Sequence, residues 1–150
     1  MKIKKTINSI LLTGITFLFC NFFVPKEKDA LNKRVFETTL TEVKEGQNNI
    51  KGKPDEIEFK DGKVFSNVLN EKLSYKWLKY TITVDSAYVD EKQNEITYYE
   101  AAVNITDDKD QSVDILFKIK NTEITGEVKI SKKEKLKKKF IVAGKEKEKK

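Results

Sequence analysis

Histidine does not occur anywhere in the 150-residue chain, and its one cysteine, Cys20, stands inside an N-terminal apolar run. No disulfide can form within the chain, and imidazole and thiolate metal ligands are missing from everything after residue 20. The same two gaps remove the nucleophilic and acid–base constellations that depend on His or Cys. The chain also has no G-x-S-x-G, no glycine-rich phosphate loop and no metal-ligand spacing. The acidic turn Asp107-Asp108-Lys109-Asp110 lacks the spaced ligands and closing Glu of an EF-hand loop. No cofactor is expected, and the chain reads as a non-enzyme. Proline and glycine are scarce as well, with two and six copies. Aromatic and β-branched residues crowd the stretch between 35 and 130, a composition that folds. Helical periodicity is lacking there too.

What the chain has in excess is lysine, and the lysine is unevenly spread. The formal charge is +6, yet residues 1–5 hold three Lys and residues 132–150 hold ten Lys against three Glu. The body between them is mildly acidic. Together with a single interleaved aromatic in the basic stretch, Phe140, that speaks against a nucleic-acid partner. The lysines of residues 136–144 read better as the outward face of a last strand, where they also discourage edge pairing.

At the N-terminus, Met1-Lys-Ile-Lys-Lys followed by the apolar residues 7–24 has the form of an export signal. Three fates fit it. Cys20 falls where a lipoprotein signal places its acceptor, although Phe19 stands where a small residue is usual. A run of roughly 18 apolar residues is also just long enough to remain as an uncleaved anchor. Cleavage to a soluble form is the third fate, although no small-x-small site appears. Each of them puts the body outside the cytoplasm, in the periplasm or on the cell envelope. Residues 25–33 then read as a charged tether, residues 34–145 as one domain and residues 146–150 as a charged tail.

Within the domain the pattern has period two. Around the turn Asn121-Thr122, Ile119 meets Ile124, Phe117 meets Gly126, Ile115 meets Val128 and Val113 meets Ile130, all on one face. Phe117 opposite a glycine lies over bare backbone. Asp61-Gly62 is a two-residue hairpin signal that pairs Phe59 with Val64 and Ile57 with Ser66. Residues 35–43 alternate as a first strand. Leu78, Tyr80, Ile82, Val84, Ser86 and Tyr88 alternate along one long strand, turned by residues 90–94. The next strand, residues 95–106, changes phase between Tyr98 and Ala101, which predicts a β-bulge near Tyr99-Glu100. Residues 69–76 read as an irregular crossover with room for a helical turn. About eight short strands with hairpin connections predict an all-β fold, an up-and-down antiparallel barrel, with a sandwich as the competing architecture.

Several of these stretches together resemble a family of short bacterial exported proteins that are calycin-like, that is, lipocalin-like. They are DEIEFKDGKV (residues 55–64), LKYTITV (78–84), EITYYEA (95–101), IKNTEITGEV (119–128) and KKKFIVAGK (137–145). The last two are similar to the family's hairpin and its closing "F-x-G" strand. Family members often carry Trp and Gly where this chain has Ile115 and Phe117. The resemblance implies a small exported barrel and no reaction.

An eight-strand barrel either holds one small guest or fills itself with side chains. Trp77, Tyr80, Tyr98 and Phe117 are the residues that would line a cavity for a hydrophobic or amphipathic ligand. Glu100 would hold a cationic group if it faced inward, and would be an ordinary surface charge if it faced outward. The leading expectation is a non-catalytic ligand-binding barrel joined to the membrane through its N-terminus. The alternative is an interaction module with a solid core, and a lumen separates the two.

Overall fold

A computed structural model describes residues 29–44 and 51–148, so the export segment and Cys20 lie outside the described residues. Nine strands and one short helix follow in the order β1 (Val35–Val43), β2 (Lys53–Lys60), β3 (Lys63–Ser66), α1 (Asn67–Leu73), β4 (Leu78–Lys79), β5 (Thr81–Val89), β6 (Glu95–Thr106), β7 (Gln111–Lys120), β8 (Glu123–Lys132) and β9 (Lys135–Glu146). They form a single antiparallel sheet in the order β4-β3-β2-β1-β9-β8-β7-β6-β5. Only Tyr80 separates the two outermost strands, and its N–H donates to the Gly62 carbonyl at 3.2 Å. One extended segment therefore leaves β3 as β4 and joins β6 as β5, which brings the two edges of the sheet together. The result is a nearly closed, eight-walled, up-and-down barrel, as the strand count predicts, and the sandwich is excluded.

Both hairpins read from the sequence form in the expected register. β7 and β8 pair Ile119 with Ile124, Phe117 with Gly126, Ile115 with Val128 and Val113 with Ile130. β2 and β3 pair Phe59 with Val64 and Ile57 with Ser66. Asp61 and Gly62 both have positive φ, 50° and 72°, as a tight two-residue hairpin turn needs. In the other turn Asn121 carries the positive φ, 51°. Asn121 also bonds to β6, where Thr97 N–H donates to its Oδ1 at 2.8 Å.

Four expectations need correction. β6 runs through without a bulge, and the irregularity sits on its partner, between Ile82 and Val84 of β5. The extra residue, Thr83, switches phase on that strand. Leu78 and Tyr80 are buried and Ile82 packs against the core, whereas Val84 and Tyr88 are exposed and oppose Glu100 and Ile96. The six residues therefore do not share one face. The crossover after β3 is a seven-residue helix rather than an irregular link, capped by the Ser66 hydroxyl, which accepts from Leu69 N–H at 3.1 Å. Residues of the expected tether also pack on the barrel. Leu31 is fully buried, Lys33 N–H donates to the Phe59 carbonyl and Phe59 N–H to the Arg34 carbonyl, so the barrel begins by Asp29.

These two additions close the mouths of the barrel. At one end α1 buries Val68 and Leu69 in the core, and Lys72 reaches the Phe140 ring on β9, with Nζ 5.4 Å from the centroid. Asp55 of β2, nearly buried, holds the helix start by accepting from the Ser66 hydroxyl at 2.6 Å and from Val68 N–H at 3.1 Å. At the other end Leu31 enters the core and Arg34 clamps the chain ends. Its guanidinium donates to both carboxylate oxygens of Glu146, at 3.1 and 2.6 Å, and to the Asn121 carbonyl.

Gly126 is the tightest fit in the central hairpin. A Cβ added there would lie 2.6 Å from the Leu116 carbonyl oxygen and 2.9 Å from Phe117. Gly126→Val should therefore destabilise the barrel by about 1–3 kcal/mol, the usual cost of overpacking. Thermal unfolding followed by circular dichroism will show a clear drop in Tm, and an unchanged melt would contradict the register.

Candidate functional site

The interior is settled by one ring. Phe59 projects from β2 and meets Phe36 of β1 at 5.9 Å between centroids, Tyr80 at 5.2 Å and Phe117 of β7 at 5.8 Å, each edge to face. In an eight-walled barrel β2 and β7 stand opposite each other, so two rings bridge the full diameter. Around them Ile57, Val103, Val113, Ile119, Ile124, Val128 and Val142 have essentially no exposed surface. Five pockets among the described residues open to the surface, and none of these five is lined by Phe36, Phe59 or Phe117.

The five residues singled out as a ligand set do not line one chamber. Phe117 and Tyr80 are inside, both packed on Phe59. The Tyr80 hydroxyl reaches the rim and donates to Asp29 Oδ2 at 2.5 Å. Burial, and secondly this bond, push the Tyr80 hydroxyl well above the ordinary tyrosine range. Trp77 is outside, 40% exposed, tilted against Phe65 at 5.3 Å. Tyr98 and Glu100 are outside as well, on the face of β6 whose partners are Ser86 and Val84 of β5 and Lys120 and Lys118 of β7. The Tyr98 hydroxyl donates to Glu100 Oε1 at 2.5 Å, and Lys118 Nζ stands 3.9 Å from the same oxygen. Glu100 is thus an outward charge with two partners, the ordinary alternative. The phase change in β6 that suggested a bulge marks where Tyr98 and Glu100 stay outside while Ala101 and Val103 enter the core.

Asp55 is the polar residue that sequence reading passed over. Its carboxylate caps α1, and Thr38 Oγ1 donates to its carbonyl at 3.3 Å, so all its buried groups are used structurally. It shares the phase of Ile57 and Phe59, the signal by which it could have been placed inside.

One concave surface is on the outer wall. A shallow open depression of about 610 Å³ lies over β6 to β9, with Ala102, Leu116, Ile141 and Ala143 among its lining residues. Leu116 and Ile141 are each more than a third exposed. Glu127 stands between them and is held by Lys139 at 2.9 Å and Lys129 at 3.4 Å. The bond from Lys139, above all, draws its carboxyl below the usual range. Set against protein-family models, curated proteins and solved structures, the chain matches none.

The Tyr98 hydroxyl is pushed up to about 12, chiefly by its bond to Glu100. An unfolded chain releases that proton near the ordinary 10.0, so the folded state binds the more protons between these values. Stability from this bond is therefore whole below about pH 10 and lost as the pH rises toward 12. Phenolate absorbance of the native protein should show late titration from Tyr80 and Tyr98. Glu100→Gln should return Tyr98 toward the ordinary value. A single uniform transition near 10 in both proteins would contradict the bond.

Proposed function

We propose that this protein is a non-catalytic, exported barrel on a calycin-like scaffold that acts through its outer surface, as an interaction module held at the cell envelope by its N-terminus. The observation that carries the reading is the 5.8 Å contact between Phe59 and Phe117 across the lumen. A guest of any size would have to separate rings that belong to opposite walls, and packed interiors resist such opening. Binding inside the barrel, the leading expectation from the sequence, would need a chamber that the aromatic set does not line. Catalysis is disfavoured by composition, since the chain has no His and its one Cys precedes the domain. The two outer carboxylates nearest a tyrosine, Asp29 and Glu100, are each engaged by that tyrosine's hydroxyl. Attachment rests on the basic start and the apolar residues 7–24.

Native mass spectrometry of the protein purified from its own host tests the reading. The expected result is the mass of the chain alone, plus any lipid attached at Cys20, with no uptake of an apolar fluorescent probe. A small-molecule mass that recurs between preparations and is lost on denaturation would overturn it in favour of a carrier.

A further inference from the structure

Five lysines of the outer wall stand beside carboxylates. Lys118, Lys129, Lys139, Lys145 and Lys147 each have a Glu oxygen within 4.0 Å. Three others stand side by side across neighbouring strands. Lys60 of β2 is directly opposite Lys63 of β3, which is directly opposite Lys79 of β4. The inward residues beside them are Phe59, Val64 and Leu78, all buried, so the three ammonium groups form an exposed row on the outside. None has an ion-pair partner among the described residues. Like charges directly opposite on paired strands repel, and folding gains nothing from placing them there.

The next row up holds an aromatic pair. Phe65 and Trp77 stack at 5.3 Å, with Trp77 40% exposed although it is the chain's only tryptophan. Lys60, Lys63 and Trp77 line one small surface pocket together with Asp61, and Glu58 is the Cα partner of Phe65. The patch is thus a lysine row edged by a half-exposed indole, with two acids at its margin.

Its place in the fold names its partner. The row sits at the β2–β3 turn, where Asn32 Oδ1 accepts from Asp61 N–H at 3.0 Å, and the described chain begins three residues earlier, at Asp29. Upstream of Asp29 lies the apolar run. An anchor ending at Val24 leaves four residues, which reach at most about 14 Å; a lipidated Cys20 leaves eight, reaching about 28 Å. Either keeps this end of the barrel near the bilayer surface, where lysines gain from anionic headgroups and indole rings favour the interface. We infer that Lys60, Lys63, Lys79 and Trp77 form the face on which the barrel rests against an anionic membrane. This deepens the outer-surface reading and rests on it.

The single tryptophan reports on the patch directly. The full-length chain is reconstituted with phosphatidylcholine vesicles, with or without phosphatidylglycerol, and read by co-sedimentation and by Trp77 emission. The expected result is co-sedimentation with both, and a blue shift plus quenching by brominated-chain lipid only with the anionic vesicles, reversed by high salt. Replacing Lys60→Gln, Lys63→Gln and Lys79→Gln together should abolish the shift and leave co-sedimentation intact. Equal Trp77 emission in both vesicles, from a chain that co-sediments, would overturn this face while leaving the outer-surface reading standing. A chain that co-sediments with neither vesicle would overturn the attachment and this face together. A shift produced by soluble polyphosphate and by no vesicle would replace the membrane with a free polyanion.

Discussion

Two aromatic rings from opposite walls, Phe59 and Phe117, meet at 5.8 Å, and much of the barrel is dimensioned by that contact. Edge-to-face packing sets the separation of the walls. It also demands room behind one ring, which Gly126 supplies by offering no Cβ against Phe117. Phe36 and Tyr80 then complete a four-ring cluster with Phe59 as its hub, so that β1, β2, β7 and the β4–β5 segment share one packing unit.

The constraint extends to both ends. A lumen plugged by rings still exposes apolar surface at its mouths, and each mouth receives its own cover. α1 brings Val68 and Leu69 to one, fixed by the Asp55 carboxylate, whose two oxygens satisfy the Ser66 hydroxyl and the Val68 amide. Leu31 covers the other, on a segment held by the bonds of Lys33 N–H and the Arg34 carbonyl to Phe59 and by the Arg34–Glu146 fork. Where the covers end, the sheet opens. Beyond Thr83 the outer half of β5 has a strand partner on one side only, with Val84, Tyr88 and Val89 exposed.

The fold was legible in the sequence wherever one face of a strand is buried and the other solvated. β7, β8 and the β2–β3 hairpin alternate cleanly, and their register follows from that alternation with no tertiary information. Legibility failed where the alternation has a second cause. In β6 the buried Ile96 keeps the phase of the outward Tyr98, so the phase change looked like a bulge that actually sits on β5 at Thr83. Residues 67–73 are too few for a helical period to declare itself, and their cap comes from Ser66 and the distant Asp55. The candidate ligand set shows the same limit. Aromatic identity marks Tyr80 and Phe117 as core, but only the path of the strands tells that Trp77 and Tyr98 are outside. The lysine row was hidden for a related reason, because Lys60, Lys63 and Lys79 become neighbours only once β2, β3 and β4 are paired.

The filled interior depends on whether opposite walls touch. A double-mutant cycle with Phe59→Leu and Phe117→Leu measures that contact through the unfolding free energies of the two single variants and the double variant. Rings that meet edge to face across the lumen predict a coupling of about 0.5–1.5 kcal/mol between the two positions. Strict additivity would mean that the walls stand apart, with room between them for a guest.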